Sequence, residues 1–198
     1  MLRAHRESVI ACRRCTTVVG PPVCSPAVMS RIYLVGQAPG PREAARGRPF
    51  AHTAGQTLFR WFERLGVDET SFRERVYMAA VLRCFPGKSG SGDRVPRAPE
   101  IAVCREWIEA EVALLRPELV VPVGRLAIEQ VLGKKPKSLE DVVGQKERVA
   151  FHGRSVDCIP LPHPSGLSAW HKIEPGKSLL VRALDIIASH PAWRRTFG

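Results

Sequence analysis

Four short apolar runs, at residues 31–36, 76–83, 118–124 and 155–161, are separated by stretches whose apolar residues return at helical spacing. Each run is nearly continuous rather than alternating, which marks a strand covered on both faces, as in a parallel sheet. The intervening patterns supply the cover. Thr53, with Gln56 three residues on, reads as the capping box of a helix that carries Leu58, Trp61, Phe62 and Leu65 on one face and stops at Gly66. Pro99 fits a first helical position, and Ile101, Cys104, Ile108, Val112 and Leu115 then recur until Arg116-Pro117 ends the segment. Residues 126–132 and 178–189 give two further helices. Strands alternating with helices along the whole chain predict an α/β fold, a three-layer α/β/α sandwich around a mainly parallel four-stranded sheet, formed by residues 1–198 as one domain.

Ligands of such sheets bind beyond the carboxyl ends of the strands. Three unusual loops lie at those ends, residues 37–50, 84–97 and 161–172, so they are expected to converge on one site. The first, Gly36-Gln37-Ala38-Pro39-Gly40, is neither a Walker loop, since no Gly-Lys-Ser/Thr follows, nor a dinucleotide fingerprint, since Pro39 interrupts the turn and the third glycine is missing. What remains is a Pro-Gly turn able to aim backbone N–H groups at a planar polar ligand. Phe50, behind Gly47-Arg48-Pro49, offers a stacking face for a ring, although a phenylalanine there also suits a core. His163, leaving a buried strand into Pro164-Ser165-Gly166-Leu167-Ser168, has its ring placed to donate to charge developing on a leaving group. Leu167 suits a wedge between bases, and the hydroxyls of Ser165 and Ser168 suit phosphate.

The charge points to the class of partner. Thirty Lys and Arg against nineteen Asp and Glu leave a formal charge of +11, which favours a polyanion, and nucleic acid ahead of a membrane because no lipid-binding helix is evident. Arg42, Arg46 and Arg48 sit within the first loop, with Lys88, Arg94 and Arg97 in the second. Charge kept for solubility is the blander explanation. The opening residues carry charge throughout and lack the apolar core of a secretory signal, so the expected address is cytoplasmic.

Six cysteines at that address are not a disulfide framework. Cys12 and Cys15 form a C-x-x-C, with Cys84 at a strand end and Cys104 on a helix; four such thiolates suit a [4Fe–4S] cluster or a structural zinc. Buried cysteines beside a chance C-x-x-C are the alternative, since Cys104 belongs to an apolar stripe. Cys24 and Cys158 have no matching partner.

Taken together, "GQAPG…GRPF", the Cys12/Cys15/Cys84/Cys104 pattern and "HPSGLS" resemble the uracil-DNA glycosylase superfamily, and within it the iron–sulfur branch of families 4 and 5. The similarity runs from Cys12 to about Lys172. It implies an α/β/α fold, a [4Fe–4S] cluster on those four cysteines, and excision of uracil from DNA; the motifs hold no clear lysine nucleophile, so a monofunctional enzyme is expected, and a monomer. It further implies that Gly36, Gln37 and Ala38 line the base pocket, that Phe50 stacks on the flipped base, and that His163 binds the base oxygen. The loop from Pro164 would enter the minor groove, with Ser165, Leu167 and Ser168 on DNA beside Arg42 and Arg48.

Two positions depart from the family pattern. Family 4 commonly has an acidic residue where this chain has Gln37; an amide orients a water without taking its proton, and Glu43 is the nearest carboxylate in that loop, unless Arg42 and Arg46 hold it in a solvated ion pair. Family 4 also has an asparagine four residues before the third cluster cysteine, where this chain has Ala80. Loss of that amide predicts either a donor from elsewhere or a range that includes other deaminated bases such as hypoxanthine and xanthine. The reading from another class is a non-catalytic nucleic-acid-binding module stapled by the cluster or by zinc.

Overall fold

The computed structural model describes residues 1–90, 92–166 and 168–198. In chain order its elements are α1 (Leu2–Ile10), β1 (Ile32–Gly36), α2 (Pro41–Arg46), α3 (Thr53–Glu63), α4 (Glu69–Arg75), β2 (Tyr77–Ala80), β3 (Lys88–Ser89) and β4 (Gly92–Asp93). There follow α5 (Ala98–Leu115), β5 (Leu119–Pro122), α6 (Arg125–Leu132), β6 (Glu147–Phe151), β7 (Arg154–Cys158), α7 (Gly176–Ser189) and α8 (Pro191–Phe197).

The main sheet has the order β2-β1-β5-β7-β6, parallel from β2 to β7. It has five strands rather than the expected four, because β6 returns antiparallel on the outer edge of β7. The turn between them is His152-Gly153, both at positive φ (45° and 77°), the conformation that lets a two-residue hairpin follow the twist of its strands. β6 was hidden in the sequence because, at an edge, its Glu147, Arg148 and Val149 mix charge with apolar residues.

Alternate residues of β1 fill two cores. Ile32 and Leu34 pack with Leu58, Phe59 and Phe62 of α3, Phe72 of α4, Leu184 of α7 and Trp193 of α8. Tyr33 and Val35 face the other way, onto Ile108, Val112 and Leu115 of α5 and Ala127 and Val131 of α6. This is the expected three-layer sandwich. The capping box expected at Thr53 is absent: His52 is the cap residue, with no side-chain cap bond, and Thr53 is the first helical residue. The helix expected from Pro99 begins at Ala98 with Pro99 in its first turn, and Glu100 reaches back to accept the Arg97 N–H at 2.7 Å. Among the described residues no helix is long and apolar enough to cross a membrane.

Candidate active site at the carboxyl end of the sheet

From β1 the chain passes to β2 on one side, and from β2 it crosses to β5 on the other side of β1, so a crevice opens above the carboxyl end of β1. Backbone bonds carry the strand ends into it: Val81 N–H reaches Gly36 O at 2.9 Å, Leu82 N–H reaches Gln37 O at 3.0 Å, and Val123 N–H reaches Val35 O at 2.8 Å. Gly124 N–H donates to Leu161 O at 2.9 Å, which sets His163 beside the same opening. The result is a cavity of about 350 Å³ whose lining includes Gly36, Gln37, Ala38, Phe50, Ala80 and His163. The three loops converge as the strand ends required.

The first loop is more ordered than a bare turn. Gly40 is the N-cap of α2 and Pro41 opens it, so part of the expected loop is helix. Glu43 reaches back to the cap residue: its Oε2 accepts the Gly40 N–H at 2.8 Å, and the backbone at Ala51 also favours its charged form. Burial nonetheless raises the Glu43 pKa above the ordinary carboxylate value, against the lowering effect of those bonds. Glu43 therefore lines the cavity as a structural tie and not as part of a solvated ion pair. Arg42 at the rim donates to His52 Nε2 at 2.6 Å, and desolvation followed by the charges of Arg42 and Arg46 holds the His52 pKa down.

Phe50 is held in a conformation rare for its residue type. Its φ is +51°, and the backbone oxygens of Pro49 and Phe50 each accept from the Arg73 guanidinium at 2.8 Å. Gly55 of α3 passes so near that a Cβ there would lie 1.8 Å from Phe50 O. Strain of about 1–3 kcal/mol for such a backbone is tolerated because these contacts fix it, and it turns the ring across Gly36 into the cavity.

His163 is partly buried, and its Nδ1 accepts the Ser165 N–H at 3.2 Å. Desolvation, with a contribution from His171, lowers its pKa, so the ring is neutral near pH 7. An accepting Nδ1 on a neutral ring puts the proton on Nε2. His163 is thus a fixed neutral donor, suited to an oxygen on which negative charge develops.

Residues 22–188 match the sequence profile of the Uracil DNA glycosylase superfamily. The chain belongs to that superfamily. Similar proteins include the Type-4 uracil-DNA glycosylase of Thermotoga maritima, 32% identical over 138 residues, which are 70% of this chain and 66% of the relative. The Type-4 uracil-DNA glycosylase of Archaeoglobus fulgidus is 27% identical over 167 residues, 81% of this chain and 80% of the relative. The Type-5 uracil-DNA glycosylase of Pyrobaculum aerophilum is 31% identical over 155 residues, 70% and 63% of the two.

Other expected residues of this superfamily member fall around the pocket unevenly. Arg42 and Ser165 line it; Arg48 is exposed outside it, and Ser168 lies beyond Ser165, whose carbonyl its N–H reaches at 3.1 Å. Leu167 lies outside the described residues. The cavity also takes in two residues of the β3–β4 hairpin, Lys88 and Asp93, paired at 2.7 Å. Lys88 is visible in the sequence only as one of several cations, and Asp93 carries no motif signal; two-residue strands leave no periodicity to read.

The cysteines test the cofactor expectation. All six are free. Val19 bridges Phe85 and Val23 N–H reaches Arg83 O at 2.7 Å, so the segment after Cys12 and Cys15 runs along the chain at Cys84. Burial pushes the Cys84 thiol up to about 12, and Cys104, Cys15 and Cys12 each add to the rise. Burial also raises Cys104, partly offset by an N–H from Arg83. The chain thus brings the four cysteines into one region of the fold, although no group of three or more His, Cys, Asp or Glu among the described residues stands in metal-holding geometry. Four thiol donors, two of them buried, are the chemical set that an iron–sulfur centre takes, without standing in the geometry that holds one. Cys158 is apart, inside β7; Cys24 is buried near Arg83, its pKa raised to about 11 chiefly by burial.

Proposed function

We propose that this superfamily member is a monofunctional DNA glycosylase that hydrolyses the N-glycosidic bond of uracil in DNA, for base-excision repair. The carrying observation is the convergence, on one cavity, of the Gln37–Ala38 turn, the fixed Phe50 ring and the neutral His163 donor. A base inside a duplex is out of reach, so it is extruded at a cost of about a few kcal/mol, offset by phosphate contacts and by stacking on Phe50. Cleavage leaves an oxocarbenium-like sugar and an anionic base. His163 Nε2–H and the turn amides stabilise that anion, being aimed before charge develops. Lys88, the lysine lining the cavity among the described residues, is paired with Asp93, in keeping with hydrolysis by water rather than attack by an amine.

The thiolates of Cys12, Cys15, Cys84 and Cys104 would hold a [4Fe–4S] cluster, which when bound supplies a tie between the N-terminal segment, the end of β2 and α5. A brown preparation containing about four iron atoms per chain supports it; a colourless one containing zinc overturns it. Residues 1–198 act as one domain, a monomer of the cytoplasm, with DNA as partner.

Ala80 adds a second element. It lines the cavity with no polar atom to read a base edge, which supports a range that includes hypoxanthine and xanthine beside uracil. The test is excision from oligonucleotides with single uracil, hypoxanthine, xanthine or thymine bases, read by alkali cleavage at abasic sites. Cleavage at uracil is expected. Intact strands on every substrate would leave only a binding module, and strict uracil activity would remove the broader range.

A further inference from the structure

Hydrolysis requires a water whose proton has somewhere to go as its oxygen bonds to the sugar. Gln37 offers an amide, which orients a water and takes no proton. Among the described residues, two carboxylates line the cavity, Glu43 and Asp93. Glu43 is spent on the fold, since its carboxylate accepts the Gly40 N–H at 2.8 Å and so ties the start of α2 to the first turn.

Asp93 is differently placed. It ends β4 and stands across the first turn, its Oδ2 3.4 Å from where a Cβ on Gly40 would lie. Oδ1 accepts from Lys88 Nζ at 2.7 Å, while among the described residues no hydrogen bond reaches Oδ2. Its side chain is 43% exposed, so the carboxylate is open to water. The two cavity carboxylates are close enough for the charge of Asp93 to push up the Glu43 pKa.

We infer that Asp93 is the working carboxylate of this pocket: it holds the attacking water through Oδ2 and accepts its proton, supplying from the β3–β4 hairpin the group that Gln37 lacks. The inference rests on the glycosylase reading given above. In the step, the water oxygen bonds to C1′ while the C1′–N bond breaks and its electron pair leaves with the base. The water proton passes to Asp93, and the anionic base is held by His163. Lys88 is a positioning residue that fixes Oδ1 and leaves Oδ2 free.

The experiment compares single-turnover excision of uracil from DNA by the full chain and its Asp93→Asn and Asp93→Ala variants. Binding is measured separately on a duplex carrying non-cleavable 2′-fluoro-deoxyuridine. Asp93→Asn is expected to slow excision by about 10²- to 10³-fold, the range for loss of a general base, with binding changed less than about threefold. Added formate should accelerate Asp93→Ala by about tenfold or more, because a small carboxylate can take the vacated place and restore proton acceptance. Excision by Asp93→Asn within about threefold of the unsubstituted rate, outside the loss expected of a base, overturns the inference. So does a slow Asp93→Ala that formate leaves unmoved, since a purely structural aspartate would not be rescued. An unsubstituted chain that excises nothing removes the glycosylase reading itself, a result distinct from either of these.

Discussion

The ring of Phe50 lies over Gly36, so close that a Cβ on Gly36 would come within 2.8 Å of its Cζ. The last residue of β1 therefore has no side chain because the Phe50 ring occupies that space. Gly36→Ala must push the ring toward the cavity, against a backbone fixed at positive φ. Overpacking of this kind costs about 1–3 kcal/mol, and a displaced stacking face should lower excision of uracil by about tenfold or more. Thermal denaturation and single-turnover kinetics on the same preparation check both parts.

Arg73 is expected to matter to activity although it lies outside the cavity. It donates to the Pro49 and Phe50 carbonyls and to Glu69, and its guanidinium lies 4.6 Å from the centre of the Phe59 ring. Arg73→Met keeps the packing and removes the donors. A loss of about 2 kcal/mol of stability is expected from the charged hydrogen bonds, together with weaker stacking by Phe50. The readout is fluorescence of a 2-aminopurine placed next to the flipped position: reduced stacking changes its response even where DNA affinity holds.

The sequence made the strand ends legible, because apolar runs and the residues that break them report directly on a sheet covered from both sides. Gly36, Ala80 and His163 fall at the cavity for that reason. What escaped was structure too short or too exposed to leave a period. Helix α2 is six residues, and its signature, Gly40-Pro41 followed by Glu43, reads equally as a turn. The hairpin that brings Asp93 over Gly40 consists of two-residue strands. The clamp on Phe50 comes from Arg73, 23 residues away, and nothing local announces it.

His163 should remain a neutral donor to lower pH than a free imidazole does. Desolvation and then the neighbouring His171 depress its pKa below 6.5, so the folded ring resists protonation as pH falls through that value. The stability it contributes is present above 6.5 and is lost only as pH falls through its depressed pKa. Titration of the ring nitrogens by NMR should show Nε2 protonated and Nδ1 bare across the neutral range. His163→Leu removes the donor and should slow excision by about 10²- to 10³-fold, as for loss of one oxyanion donor.

Behind the pocket, the second core is built around a buried ion pair, and its removal should be the most damaging single change to stability. Glu111 on α5 is fully buried and accepts from Arg83, Tyr33 and Tyr77, with His5 of α1 also in contact at 3.3 Å. Burial alone would raise its pKa, but Arg83 and the three hydrogen bonds outweigh that and hold it below the ordinary value. Arg83 Nε and Nη1 have no partner among the described residues, and beyond a long bond from Nη2 to the Tyr33 hydroxyl at 3.5 Å the guanidinium depends on this one carboxylate. Glu111→Ala leaves that charge buried and unpaired, at a cost of about 3–5 kcal/mol. Because the Glu111 pKa is depressed on folding, the pair's contribution is present above the ordinary carboxylate value of 4.5 and disappears as pH falls through the folded pKa below it. Urea denaturation at pH 7 measures the first effect, and a series carried from pH 7 downward well below 4.5 measures the second. Arg83 also precedes Cys84, so in protein that carries the proposed cluster the same substitution should hasten loss of visible absorbance on mild heating, before the α/β sandwich itself unfolds.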